Sequence, residues 1–370
     1  MNSPTELFCL FLFRSVDRFI YCCYAKKSLP QSIKCDSPDD AFSSCDDLMK
    51  NEILQVFVWV LAFLALFGNV AVLLWRWSVK EKNRVQSFLL ANLAVADLLM
   101  SVYLIIIAAQ DVHWRGEYFE HDMEWRSGGL CKVAGMFSML SSEVSVLTLS
   151  AITADRFICI VFPFSSKRLS LKKTYAICIL MWIFGVIISC LPMFNIDYFY
   201  DKENGVSFFG RSSVCLPLHL SAERPSGYEY SVAFFIGLNF VSFMFILIAY
   251  IAMFWRVKKS AAAAGSRSMK KETAMAKRVI FIIMTDFCCW MPVIIIGILS
   301  LFDKFYDPKK EVYVWIAVFV LPVNSSINPI LYTFSTVNIK TVVAKKWRSL
   351  REAFYSCCLK KTKGLFCLYP

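Results

Sequence analysis

Long apolar runs separated by short polar loops dominate this chain, and each run has the length a helix needs to cross a bilayer, roughly 20 mostly apolar residues. The runs cover 53–75, 88–107, 133–161, 175–193, 230–255, 279–302 and 312–334. None alternates apolar and polar positions as a half-buried strand does. Backbone groups in lipid must be satisfied within the chain, so these runs predict helices, and together an all-α membrane protein built as a seven-transmembrane helical bundle rather than a barrel. Beyond the last run, Val343, Trp347, Leu350 and Phe354 recur at helical spacing among Lys345, Lys346, Arg348 and Arg351. That pattern predicts a short amphipathic helix on the inner leaflet. A disordered basic tail is the competing expectation. The chain then divides into a segment over 1–52, a bundle over 53–334, and an amphipathic helix with its tail over 335–370.

Composition agrees with the pattern. Hydrophobic residues make up 58% and charged ones 18%, against about 45–50% and about 25% in soluble domains. A net charge of +12 points to nucleic acid only when the basic residues sit on a soluble scaffold; here they lie between apolar runs, which excludes that class. Lys and Arg place the loops instead. Arg76, Lys80, Lys82 and Arg84 follow the first run, Lys167, Arg168, Lys172 and Lys173 the third, and Arg256, Lys258, Lys259, Arg267, Lys270, Lys271, Lys277 and Arg278 the fifth. These loops are predicted to be cytoplasmic. The stretch 111–130, read as a loop, carries Glu117, Glu120, Asp122 and Glu124, and the amino-terminal segment carries Asp36, Asp39, Asp40, Asp46 and Asp47. An odd number of spans therefore predicts a multi-pass plasma-membrane protein with its amino terminus outside and its carboxyl terminus in the cytoplasm.

The cysteines are too scattered for a disulfide scaffold, and no C-x-x-C pair offers a zinc site. Cys131 and Cys215 fall in stretches assigned to outer loops. Cys22, Cys23, Cys35 and Cys45 are available for further outside bridges of unreadable connectivity, while Cys357 and Cys358 follow the amphipathic segment, where palmitoylation would add a lipid anchor.

Polar groups within apolar runs are costly and are usually retained for function. Asp97 lies in the second run, Asn69 in the first, Ser145 in the third, and Asn324 and Asn328 in the seventh. If those faces converge, one carboxylate and several oxygens could hold a hydrated cation such as sodium, the sole cofactor the sequence suggests; interhelical hydrogen-bonding glue is the alternative. Asp286 and Trp290 share a helix face just ahead of Pro292, whose missing N–H makes the sixth run a candidate moving part. Asp286 is expected to bond the seventh-run asparagines in one state and release them in another, or else to make a static contact. At the cytoplasmic end of the third run, Arg156 can pair with Asp155 and across the bundle with Glu272, which otherwise is a solvated acid among lysines. Glu143 is expected inside the bundle, its partner unreadable.

GNV at 68–70, NLAVADLL at 92–99, DRF at 155–157, Trp182, CWMP at 289–292 and NPILY at 328–332, in this order and each on its own run, resemble the rhodopsin-like G-protein-coupled receptors. RFIYCCYA at 18–25, WRGEYFEHDMEW at 114–125, TDFCCWMP at 285–292 and LPVNSSINPILY at 321–332 narrow the likeness to the leucine-rich-repeat-containing hormone receptors, and Asn328 to their relaxin-receptor-like branch. Residues 1–52 resemble the hinge that follows the repeats in that family; no repeat occurs in this sequence. Ser242 stands where many receptors of the wider class carry a proline, and Phe157 replaces the commoner tyrosine.

The resemblance implies a bridge between Cys131 and Cys215, and a switch built from Asp155, Arg156, Glu272, Asp286, Trp290, Pro292, Asn328, Pro329 and Tyr332. It also implies a heterotrimeric G protein inside, a peptide or protein hormone outside, lipid around the bundle, compatibility with receptor dimers, and a cyclic AMP output without enzymatic chemistry. A repeat-less form that signals constitutively or modulates a full-length receptor is the alternative within the family. A transporter or channel is the alternative of another class, and it lacks the matched broken helices or charge rings that would support it.

Overall fold

The computed structural model describes residues 19–28, 43–78, 83–163, 168–194, 196–201, 205–217, 226–261, 284–285, 287–299, 302, 321–335, 348 and 351. Its helices are α1 (Phe19–Ser28), α2 (Glu52–Ser78), α3 (Arg84–His113), α4 (Tyr118–Ser127), α5 (Gly129–Val161) and α6 (Leu171–Cys190). They continue with α7 (Tyr228–Lys259), α8 (Phe287–Leu299) and α9 (Leu321–Ser335). Among the described residues five helices are long and apolar enough to cross a membrane, namely α2, α3, α5, the α6 segment extended to Met193, and α7. The sixth run is described over 284–285, α8 and 302, and the seventh over α9. Arg348 and Arg351 are helical; the rest of the amphipathic segment lies outside the described residues.

The helices overrun the apolar stretches because polar ends project beyond the bilayer core. Asn83 caps α3 by accepting from the Gln86 amide at 3.2 Å, and Ser170 caps α6 by accepting from Lys173 at 3.4 Å; each such cap contributes about 1 kcal/mol. Each helix turns one stripe inward. On α2 that stripe is Leu54, Val58, Leu61, Ala62, Ala65, Asn69 and Val72, while Phe57, Phe63, Phe67 and Leu74 face outward. An apolar exterior around a polar-dotted interior is what lipid as solvent selects. Helix α5 is central, packing against α3, α6 and α7, while α9 closes the bundle against α2 and α3.

Two expectations need correction. The stretch 111–130 is not a loop throughout, since it contains α4, and Cys131 lies in the first turn of α5 rather than in a loop. The polar sequence of α4 gave no helical stripe to detect; its apolar side chains Tyr118, Phe119 and Trp125 are buried by neighbouring loops instead. At that same end of the bundle, a short hairpin pairs Tyr200–Asp201 with Val206–Ser207, antiparallel.

Candidate functional site

A buried polar hub joins four helices. Asp97 of α3 accepts from Ser145 Oγ of α5 and Ser325 Oγ of α9, both at 3.0 Å on Oδ1, and from Asn328 Nδ2 of α9 at 3.0 Å on Oδ2. Asn69 of α2 donates to Ala65 O at 2.9 Å and to Ser325 O at 3.0 Å. Asn324, beside Ser325, is only partly buried; the Ser325 hydroxyl, which the sequence did not single out, supplies one of the two bonds from α9 and Asn328 the other. Close approach makes the hub possible: a Cβ on Gly68 would lie 2.8 Å from Pro329 Cβ, so glycine lets α2 and α9 touch. Asn69 Oδ1 and Asn328 Oδ1 are buried without a hydrogen-bond partner. Carbonyl oxygens beside a carboxylate and two hydroxyls fit a small hard cation by donor chemistry. Among the described residues no group of His, Cys, Asp and Glu is arranged to hold a metal ion.

Nearer the loop-capped end lies a second polar contact. Glu143 of α5, fully buried, accepts from Asn239 Nδ2 of α7 at 3.3 Å, which supplies the partner that the sequence could not name. Trp290 of α8 is buried against Phe235 and Phe243 of α7, with ring centroids 6.3 and 6.0 Å away. Pro292 faces outward. At the opposite end, Arg156 donates to the carboxylate of Asp155 through Nε at 3.1 Å and through Nη2. The pair is almost wholly buried, with Asp155 4% and Arg156 8% exposed. Glu272, Asp286, Cys357, Cys358 and the side chain of Tyr332 lie outside the described residues. Trp182 of α6 donates through Nε1 to Asn92 Oδ1 of α3 at 3.1 Å, tying two of the sequence motifs together.

At the loop-capped end, loop residues pack on the helix ends. Cys131 is bonded to Cys215, and around that bridge Phe208, Phe209, Val214 and Leu216 are buried. Trp125 Nε1 donates to Ser213 O at 2.6 Å, Tyr103 OH to Val214 O at 2.9 Å, and Arg126 to Gly210 O and Arg211 O at 2.7 and 2.6 Å. Over this lies the amino-terminal segment, where Cys23 is bonded to Cys45. There the Gly116 and Phe119 amides donate to Asp46 O and Cys45 O, and the Met49 amide to Asp111 Oδ1. Cys22 is disulfide-bonded as well.

A helical bundle with a buried carboxylate hub, a charged pair at one end and a disulfide-pinned cap at the other defines a transmembrane receptor architecture. The chain belongs to the rhodopsin family of seven-transmembrane receptors, since the family model described as "7 transmembrane receptor (rhodopsin family)" matches residues 68–332.

Within that family it is 45% identical over 347 residues to the "G-protein coupled receptor GRL101" of Lymnaea stagnalis, which covers 94% of this chain and 30% of that protein. It is 36% identical over 338 residues to human "Relaxin receptor 1", covering 90% of this chain and 43% of the relative. With human "Relaxin receptor 2" it shares 38% over 321 residues, 86% of this chain and 41% of the relative. The mouse "Lutropin-choriogonadotropic hormone receptor" is 32% identical over 308 residues, 83% of this chain and 41% of that protein. The chain thus spans less than half the length of these relatives.

Proposed function

We propose that this chain is the membrane-embedded part of a receptor for a relaxin-like or related peptide or protein hormone, and that it signals through a heterotrimeric G protein with cyclic AMP as the output. The observation that carries the reading is the hub: Asp97 is bonded simultaneously to α5 and α9, so rearrangement of either helix must exchange those bonds. The names of the relaxin-receptor relatives support the hormone class.

In this reading the amino-terminal segment and the cap face outward and the Asp155–Arg156 end faces the cytoplasm, as the Lys/Arg bias predicts. A hormone shifts the bundle only by its differential affinity for two arrangements, about 1.4 kcal/mol per tenfold change in population. In this reading the hormone acts by moving the cap, whose side chains Phe208, Phe209 and Leu216 are buried around the Cys131–Cys215 bridge. Movement passes along α7 and α8 through the Phe235–Trp290–Phe243 cluster and frees Arg156 from Asp155 to meet the G protein. Glu272, Asp286 and Tyr332 take part at the cytoplasmic half, Asp97, Asn69, Ser145 and Asn328 would hold a sodium ion whose charge would steady the resting hub, and palmitoylated Cys357 and Cys358 anchor the tail.

The test is nucleotide exchange on purified G protein, with cyclic AMP in cells as a second readout, for the parent chain and Arg156→Ala at matched surface levels. Loss of exchange in Arg156→Ala is the expected result. Equal exchange in both, or ion flux in proteoliposomes with no exchange in either, overturns the reading.

A further inference from the structure

Residues Val232–Leu238 of α7 are π-helical, with α-helix before and after them. A π turn takes in one more residue than an α turn and weakens the local hydrogen bonds; single π turns within α-helices are frequent at functional sites. Crowding at its glycine does not force this one. A Cβ on Gly237 inside the turn would meet only Val232 O, at 3.6 Å, and Ser242 stands where a proline could have forced a distortion.

Asn239 closes the turn. Its Nδ2 donates to Phe235 O at 3.0 Å and Phe234 O at 3.4 Å, two carbonyls of the turn, and across the helix interface to Glu143 Oε1 at 3.3 Å. One side-chain amide thus substitutes for backbone donors that the wide turn misaligns, and a carboxylate of the central helix fixes its orientation. Neither Glu143 nor Asn239 is exposed. The turn also lies between cap and core. Just before it, Ser231 Oγ donates to Pro217 O at 2.7 Å and Tyr230 OH to Ile188 O at 2.6 Å. Phe235 within it and Phe243 after it pack on Trp290.

We propose that Glu143 and Asn239 are positioning residues of a register switch: their clasp holds the π turn of α7 in the resting arrangement, and its release lets the turn tighten to α-helix. Tightening removes one residue from the turn and rotates the outer end of α7 by about 100° relative to its inner end. The cap, bonded to that outer end through Ser231, would then set the register that Trp290 senses, while Tyr230 ties the same end to α6. The signalling consequence rests on the receptor reading above; the register change itself does not.

The experiment uses the purified chain in nanodiscs with Cys288→Ser, and spin labels on Glu229→Cys at the outer end of α7 and Ser127→Cys on α4, both exposed positions. The proposal expects Glu143→Leu and Asn239→Ala to move the label distance by about 4 Å or more, since a rotation of about 100° displaces a Cα by about 3.5 Å and the helix surface by about 8 Å. Glu143→Gln, whose Oε1 still accepts from Asn239, retains the parent distance. Deleting Gly237 gives the shifted distance, and Glu143→Leu adds nothing further on that background. Basal nucleotide exchange rises threefold or more in the two releasing variants and stays at the parent level in Glu143→Gln. An unchanged distance in both releasing variants overturns the clasp, whatever the signalling assay returns. A shifted distance with no nucleotide exchange in any variant, parent included, keeps the clasp and overturns the coupling reading.

Discussion

Arg211, on the loop that caps the bundle, donates through Nη2 to Ser226 Oγ at 2.8 Å, yet its Nε and Nη1 are buried without a partner. Burial holds its guanidinium below the ordinary value, with Asp201 opposing that shift. A base whose folded pKa is lowered still carries its charge at neutral pH, so the burial penalty applies in full below the folded pKa and disappears only as pH rises above the unfolded value. Replacement by an unbranched apolar side chain removes two unmet donors, each costing about 1–3 kcal/mol, and gives up the Ser226 bond and the contact over the Phe208 ring. Arg211→Met is therefore expected to stabilise the purified chain by about 1 kcal/mol, read as a higher Tm in a thermal-unfolding assay at neutral pH. A lower Tm would show that the charge is compensated. The neighbouring Gly210 has the opposite margin. A Cβ there would lie 1.9 Å from Arg126 O, a backbone atom fixed by α4, so Gly210→Ala costs about 3 kcal/mol and lowers surface expression several-fold, measured by antibody staining of intact cells.

At the scale of elements, what the sequence made legible follows the solvent. Lipid tolerates no unpaired backbone, so the runs beginning near Glu52, Arg84, Gly129, Leu171 and Tyr228 were visible from hydropathy. Their ends were not, because Arg84–Gln86 and Gln110–His113 are polar and helical at once. Helix α4 escaped for a related reason: Tyr118, Phe119 and Trp125 are buried by loop residues distant in sequence, such as Ser213 and Cys45. Asp97, Ser145 and Asn328 stood out as polar positions in apolar runs, whereas Ser325 and Asn239 did not. Which of two adjacent residues on α9 meets Asp97, and which face of α7 meets Glu143, depends on rotation about the helix axis, and a π turn alters that rotation in a way no periodicity records. The contact of α2 with α9 tests the role of small residues. Ser326 Oγ donates to Leu61 O at 3.1 Å, one turn along α9 and two along α2 from the Gly68–Pro329 contact. Gly68→Val should separate the two helices, lengthen the Asn69–Ser325 bond and cost about 2 kcal/mol, seen as a lower Tm with a larger loss than Gly68→Ala.

For the whole molecule, the unresolved balance lies between the forces that hold the amino-terminal segment on the cap, and magnitudes decide it. Lys27 donates to Glu120 and lies over the Phe119 ring, while Tyr24 packs edge-on against that ring at 4.9 Å. The bond with Lys27 holds the Glu120 carboxyl below its ordinary value, and the same bond raises Lys27. The carboxylate's contribution is present above its unfolded pKa and lost as pH falls through the lower folded one. The lysine's contribution is present below its unfolded pKa and lost as pH rises through the higher folded one. The pair therefore acts across the whole neutral range, but both groups are exposed and such pairs contribute little in salt. The Cys23–Cys45 bridge closes a sequence separation of 22 residues, which by chain entropy is worth about 3 kcal/mol. Hydrogen exchange over α1 should accordingly stay slow in Glu120→Gln and between mildly acidic and mildly alkaline pH, and become fast in the triple variant Cys22→Ser, Cys23→Ser and Cys45→Ser, which also removes the Cys22 bond. If Glu120→Gln alone released α1, electrostatics rather than the covalent tether would hold the segment on the bundle. In that case the docking of this segment, and any signal it carries into α7, would vary with salt and pH.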